Sequence, residues 1–333
     1  MTERDEREPS RLAARVSRFG DAGAMVLARE PVRPPRGTEV AVRVTHASLG
    51  STDVLARRGG YLLQPFPGFV PGYDFVGELV TESAVSVALG LREGARVAGA
   101  LPRMGAHATF LTVPATLLVA VPDGLDPAEA AVLPLDGITA AHALRLAGDG
   151  RRLLVQGASG AVGMLAVQLA REQGRTVVGT ASPRSRDVTD GLGIPVVDHR
   201  DAAWPELVRA AAGGALDAAI DHTGSPRVRE ALREGGILVH TAFTGRPGHE
   251  RADTVRGSAA AARSRTDRVC SAPLFVATRR AEYRRVLSGL LASAASGSLR
   301  MAEPEPYPLS EVWEAHRAAE ASRPGRKIVL TMR

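Results

Sequence analysis

The sequence predicts a two-domain α/β protein in which a doubly wound parallel sheet accompanies a β-rich unit. Three observations lead there. The chain has 333 residues, enough for about two domains with sizeable cores. Residues 151–276 alternate apolar runs (LLV, TVVGT, IPVV, LDAAI, ILVHTAF) with helical stretches headed by Ala161, Trp204 and Pro226, the pattern of a parallel sheet with helices on both faces. From Val16 to Leu118, β-type runs such as 40–44, 75–80 and 95–97 are instead separated by Gly and Pro, which reads as an all-β unit.

The remaining elements follow in order. Asp126-Pro127 opens a helix, because Asp can cap free N–H groups and Pro fits a first turn. Residues 277–296 and 311–321 have helical patterning, and KIVLTM at 327–332 reads as a last strand. Apolar residues make up 44% and charged ones 23%, and no apolar stretch reaches a membrane-spanning length. The first fifteen residues are polar, without the apolar run of a secretory leader, so a cytoplasmic protein is expected. One cysteine, Cys270, excludes an internal disulfide and a multi-thiolate zinc site.

Basic residues number 42 against 36 acids, and Lys327 is the single lysine. The net charge of +6 is spread along the chain and aromatics are only 4%, which gives no base-stacking surface. Arg246, Arg251, Arg256, Arg263, Arg265 and Arg268 form the densest cluster, read as a solvated loop rather than an anion site.

The most informative stretch is 151–183. An apolar strand runs into Gly157-Ala158-Ser159-Gly160-Ala161-Val162-Gly163, and a helix with apolar residues at helical spacing follows at once. Glycines at 160 and 163 let a pyrophosphate approach backbone N–H groups at the helix N-terminus, with Ser159, Gly160, Ala161 and Val162 as the contacts. The second strand ends Thr180-Ala181-Ser182-Pro183-Arg184-Ser185-Arg186. No acid stands there to bind a ribose 2′-hydroxyl, while Thr180, Ser182, Arg184 and Arg186 offer hydroxyls and two guanidiniums to a 2′-phosphate, with Arg184 as the assigned contact. NADPH is therefore the expected cofactor.

Beyond the glycine loop, several motifs occur in order: Ser51-Thr52-Asp53 with Arg57 and Gly59-Gly60-Tyr61, then 71–77 (PGYDFVG), 121–125 (VPDGL), 130–135 (AAVLPL) reaching Thr139, Asp221-His222-Thr223-Gly224, and 325–330 (GRKIVL). Together they resemble the medium-chain dehydrogenases and reductases, and within them the zinc-free quinone and enoyl reductases. The resemblance implies a GroES-like β domain formed by both chain ends (1–125 and 275–333), with a Rossmann domain (126–274) inserted and the active site in the cleft. Zinc-dependent relatives have Cys at the position of Gly50 and His-Glu at Tyr73-Asp74, so no metal site is expected. Zinc-free relatives often have Asn at the position of Gly50, and this chain departs from them there.

By the same resemblance, Thr139, Thr223, Gly224 and Phe243 lie near the nicotinamide and His199 beside the 2′-phosphate. Gly50, Tyr61 and Tyr73 would line the substrate pocket. Two readings stand for Tyr61: a general acid protonating the α-carbon after hydride reaches the β-carbon, or a wall of the cleft. Asp53 reads better as a cap than as a catalytic acid. The function expected is NADPH-dependent reduction of a conjugated C=C, such as a polyketide-type intermediate, or of a quinone. A general quinone or alkenal detoxifying reductase is the alternative, and so is a non-catalytic NADPH-binding protein with an RNA or protein partner. A homodimer is expected through an edge strand at 268–276.

Overall fold

The computed structural model describes residues 10–243, 246, 248–321 and 323–332. Residues 1–9, most of the polar N-terminal segment considered above, and Pro247 within the Arg-rich segment lie outside the described residues.

Six parallel strands form one sheet, Arg152–Val155, Thr176–Ala181, Val196–Asp198, Leu216–Asp221, Leu232–His240 and Asp267–Val269. Numbered along the chain, their spatial order is 3-2-1-4-5-6, the doubly wound dinucleotide-binding order, with a crevice where the order reverses between the first and fourth strands. The strands are apolar on both faces because both are covered. Leu153, Val155 and Val177 join a core with the helix Ala161–Glu172, and Leu154, Val178 and Ala219 pack with Trp204 and Val208 of the helix Trp204–Ala211 on the other face.

The second sheet draws on both ends of the chain. Glu39–Leu49 pairs with Asp74–Leu79 along one edge and with Phe110–Pro114 and then Arg326–Thr331 along the other, all antiparallel. Glu303–Pro308 then adds parallel to Arg326–Thr331. This return brings Ile328 opposite Leu49 and so sets Lys327 beside Gly50. A separate antiparallel hairpin, Ser10–Val16 with Met25–Pro31, lies over the helix Val312–Ala321 through Val16, Met25 and Val312.

Three expectations need correction. The supposed edge strand at 268–276 is a strand only over Asp267–Val269, and Ala272–Thr278 is a helix. Ser271 accepts a hydrogen bond from the Leu274 N–H and Pro273 occupies the first turn, so capping chemistry overrides the β-type composition. The Arg-rich stretch contains the helix Glu250–Arg263 rather than a solvated loop. The β-rich unit also carries the helix Ser51–Arg57, capped when Asp53 Oδ2 accepts from the Gly50 N–H at 2.9 Å. Among the described residues no helix is long and apolar enough to cross a membrane.

Candidate active site

On the dinucleotide side the geometry is set by backbone crowding. Gly157 has φ of +67°, which only glycine adopts without strain, and a Cβ on Gly163 would stand 2.2 Å from the Gly157 carbonyl oxygen. The helix Ala161–Glu172 starts at Gly160 with no side-chain cap, so its first N–H groups are free to receive an anion. Ser159 and Gly160 stand at its mouth. The fit to a dinucleotide is good: the loop carries only small residues and opens where the strand order reverses.

A cavity of about 540 Å³ lies past the second strand, lined by Ala181, Ser182, Arg186, Thr189 and Asp198 among others. Ser182 lines it. Arg186, rather than Arg184, lines the cavity, and the Thr180 hydroxyl is buried and committed to Gln156, while also accepting from the Gly157 N–H at 3.3 Å. Thr180 thus shapes the loop. Asp198 was not legible as part of this place, because it lies one strand over, in register with Ala181. Arg200 pairs with it at 3.0 Å and holds its carboxyl below the usual range. His199 is exposed beside this pair.

At the C-terminal end of the fourth strand, Asp221 accepts from the N–H and hydroxyl of Thr223 and the N–H of Gly224. Burial alone would push its carboxyl up, but these bonds and His240 at 3.5 Å hold it below the usual range. Thr223 and Gly224 are therefore fixed in place. Phe243 stacks on His240 with ring centroids 4.7 Å apart, three residues past the end of its strand. The Thr139 hydroxyl donates to the Leu135 carbonyl at 2.7 Å, at the end of a π-helical turn, Leu133–Gly137. Such turns cluster at functional sites.

On the substrate side, charge does what backbone does opposite. The Tyr61 and Tyr73 hydroxyls are 2.9 Å apart, their rings edge to face. Tyr73 is only 1% exposed, so it backs Tyr61 rather than lining an open pocket. Burial pushes both phenols up, with Tyr61 partly relieved by its hydrogen bond to Tyr73. Asp53 accepts from the Gly72 N–H at 2.8 Å as well as from Gly50, and so ties the Tyr73 loop to the helix Ser51–Arg57. That is the capping role expected of it.

Beneath Gly50 lies a buried ionic group that sequence reasoning missed. Lys327 donates to Asp136 at 2.6 Å, and the Ser48 hydroxyl contacts both oxygens of Asp74 at 2.9 Å. Burial alone would strip the proton from Lys327, but Asp136 and Asp74 hold it on. Burial pushes the Asp74 carboxyl well above the usual range against the pull of Lys327. The signal was present in one respect, since a single lysine in a chain of arginines marks position 327 as unusual.

Comparison with known proteins fits this geometry. The alcohol dehydrogenase GroES-like domain family matches residues 36–123, and the family described as zinc-binding dehydrogenase matches residues 192–330. The human quinone oxidoreductase is 25% identical over 91% of this chain and 92% of its own. The mycocerosic acid synthase-like polyketide synthase of Mycobacterium tuberculosis is 30% identical over 93% of this chain. The chain belongs to the medium-chain dehydrogenase/reductase superfamily. Within it, the quinone oxidoreductase and enoyl reductase branch is the one represented by these relatives. The JamJ enoyl reductase shares the fold of this chain, with a TM-score of 0.82 and 22% identity over 97% of this chain and 99% of that one. The chain spans only 14–15% of the length of the mycobacterial polyketide synthases it matches.

Proteins of this superfamily bind a nicotinamide cofactor, and the glycine-rich loop of small residues suits its pyrophosphate. Across the cleft, Arg251 donates to the Gln64 carbonyl at 3.0 Å and stacks over Phe19 at 5.3 Å. The helix Glu250–Arg263 therefore touches the loop that carries Tyr61. Arg246 and Arg256 both pair with Asp253, which removes much of the basic surface that the cluster suggested.

Proposed function

We propose that this protein is an NADPH-dependent reductase that adds hydride to the β-carbon of a conjugated carbonyl compound, an enone or enoyl thioester. The supporting observation is the Tyr61–Tyr73 hydroxyl pair in the cleft, because a phenol held protonated is the group that reduction of C=C needs and reduction of a quinone does not. A bound dihydronicotinamide supplies the hydride. Thr139, Thr223, Gly224 and Phe243 would surround its ring, and Ser159, Gly160, Ala161 and Val162 would present N–H groups to the pyrophosphate. Ser182, with Arg184 or Arg186, would take the 2′-phosphate, while Arg200 neutralises Asp198 and His199 stays beside them.

The reaction is proposed to run without zinc. Gly50 has no ligating atom, and the Lys327 ammonium stands where a metal-binding side chain would project, repelling a second cation. Reduction of a quinone is the second reading, supported by the full-length match to quinone oxidoreductase. A purely RNA-binding role is disfavoured by the pairing of Arg246, Arg251 and Arg256 within the protein. Association as a homodimer is proposed at the Asp267–Val269 edge, where Val269 and Leu274 are exposed and a second copy would cover unpaired strand groups. Light scattering that gives a monomer at micromolar concentration would remove that part.

The deciding experiment follows NADPH absorbance with crotonyl-N-acetylcysteamine, an aliphatic enone and 1,4-benzoquinone, each in the presence of a chelator. Turnover of the thioester or enone is expected. Turnover of benzoquinone alone would move the assignment to the second reading, and turnover of none would refute both.

A further inference from the structure

Gly50 is not there for its backbone. Its φ of −129° and ψ of −178° are extended values open to any residue. What glycine provides is space, and a particular atom borders it. A Cβ at residue 50 would stand 3.0 Å from the Lys327 Nζ; among the described residues, its chain neighbours aside, the one other heavy atom within 4 Å is Asp53 Oδ2, at 4.0 Å.

The ammonium at that place is held but not used up. Lys327 is 7% exposed, and among the described residues its Nζ makes one hydrogen bond, to Asp136, of the three an ammonium can donate. Asp136 comes from the π-helical turn Leu133–Gly137, just before Thr139. Tyr61 and Tyr73 stand on the neighbouring loop, and Asp53 is near enough to act on both phenols and on Lys327. Every other basic side chain among the 42 is arginine. A guanidinium is a broad planar fork, whereas an ammonium is a compact point charge, and only the compact group fits a space the size of one missing side chain.

Resting on the reductase reading above, we propose that Lys327 is an oxyanion-binding catalytic residue: through the opening left by Gly50, its ammonium donates a hydrogen bond to the substrate carbonyl oxygen as that oxygen becomes an enolate. Hydride, with its electron pair, adds to the β-carbon, and the C=C π electrons move through the α-carbon to leave the negative charge on oxygen. Lys327 keeps its protons and holds the oxygen. As the enolate collapses, the α-carbon takes a proton from the Tyr61 hydroxyl, which regains one from solvent. The cation and the phenol thus serve the two ends of the same enolate, and neither needs a metal.

Lys327→Met should lower kcat for crotonyl-N-acetylcysteamine by roughly 10²–10³, the usual effect of removing one oxyanion donor, with the dissociation constant for NADPH unchanged within threefold. Gly50→Asn in the Lys327→Met background places an amide donor in the same space and should regain at least tenfold. A merely structural lysine would give no such rescue. Should Lys327→Met fail to fold, Asp136→Asn/Lys327→Met removes both buried charges together, and the rescue is tested in that background.

A readout without turnover uses 4-nitrophenol titrated against the protein with NADP⁺. The wild type should bind it as the phenolate, and the Lys327→Met variant should not. Wild-type kcat in the folded Lys327→Met variant, no rescue on adding Gly50→Asn, or an equal phenolate fraction in both proteins would overturn the proposal. If the wild type ionises the phenol yet reduces no acceptor, the reductase reading fails while the oxyanion site at Lys327 stands.

Discussion

The two halves of the cleft are built by different means. On the dinucleotide side, side chains are missing where a ligand would come close: a Cβ on Gly163 would collide with the Gly157 carbonyl, and the N–H groups at the start of the helix Ala161–Glu172 would do the binding. On the substrate side, charges and hydroxyls are imported from distant parts of the chain. Lys327 meets Asp136, Ser48 meets Asp74, and Asp53 reaches Gly72. Backbone recognition is local and tolerant of what surrounds it, because its donors belong to one loop. A buried ionic group is global, since each member depends on a separate strand or turn and removal of one leaves another uncompensated.

This contrast can be broken or sharpened by substitution. The largest effect is expected on the substrate side. Tyr61→Phe keeps the ring and loses only the hydroxyl, so folding and NADPH binding should persist while turnover of an enoyl substrate falls by roughly 10²–10⁴. Benzoquinone, protonated readily by solvent, should be little affected. Steady-state rates with both acceptors check this, and an unchanged enoyl rate with unchanged stereochemistry at the α-carbon would leave Tyr61 as a wall.

Next comes the glycine loop. A Cβ at Gly163 would meet backbone, not a movable side chain, so Gly163→Ala must displace the start of the helix. Overpacking of this kind costs about 1–3 kcal/mol, and NADPH should bind roughly 10–100-fold more weakly by fluorescence titration. Wild-type affinity would mean that the pyrophosphate lies elsewhere.

Arg186→Ala should produce a smaller change, confined to cofactor choice. A charge-assisted contact contributes on the order of 1.5–3 kcal/mol before solvent screening. Arg186 is exposed, so the preference for NADPH over NADH should fall by about tenfold rather than more. The same loss in Arg184→Ala, with none in Arg186→Ala, would return the role to Arg184.

The smallest expected effect is that of pH. Because burial raises the Tyr61 phenol, its proton is retained below and through the ordinary phenol range. Activity carried by the protonated form would be lost only as pH rises through that raised value. Turnover of an enoyl substrate should therefore vary by less than about twofold between pH 6 and about 9. A descending limb near pH 7–8 in kcat would name a different proton donor.

How much of this was legible in the sequence follows the same division. The glycine loop, its helix and the alternation of strands are contiguous, and periodicity with glycine spacing exposes them. The departure at Gly50 was legible too, but not what fills the space, because Lys327 arrives only through the pairing of Arg326–Thr331 with Glu39–Leu49. Asp198 was missed for a related reason: it lies next to Ala181 only once two parallel strands are in register. The helix Ala272–Thr278 is a different kind of miss. Ser271 and Pro273 announced it, and the β-type composition of the following residues obscured the signal.

The return of Arg326–Thr331 to a sheet begun at Glu39 has a consequence for biosynthesis. All six strands of the parallel sheet leave the ribosome before Lys327 does, and domains generally fold as units while synthesis continues. The nascent chain can therefore close its dinucleotide crevice while the opposite wall still lacks the strand that carries the ammonium. Maturation of such a chain would be ordered in time, with cofactor capture available early and catalytic competence arriving only when that late strand slides in beside Leu49.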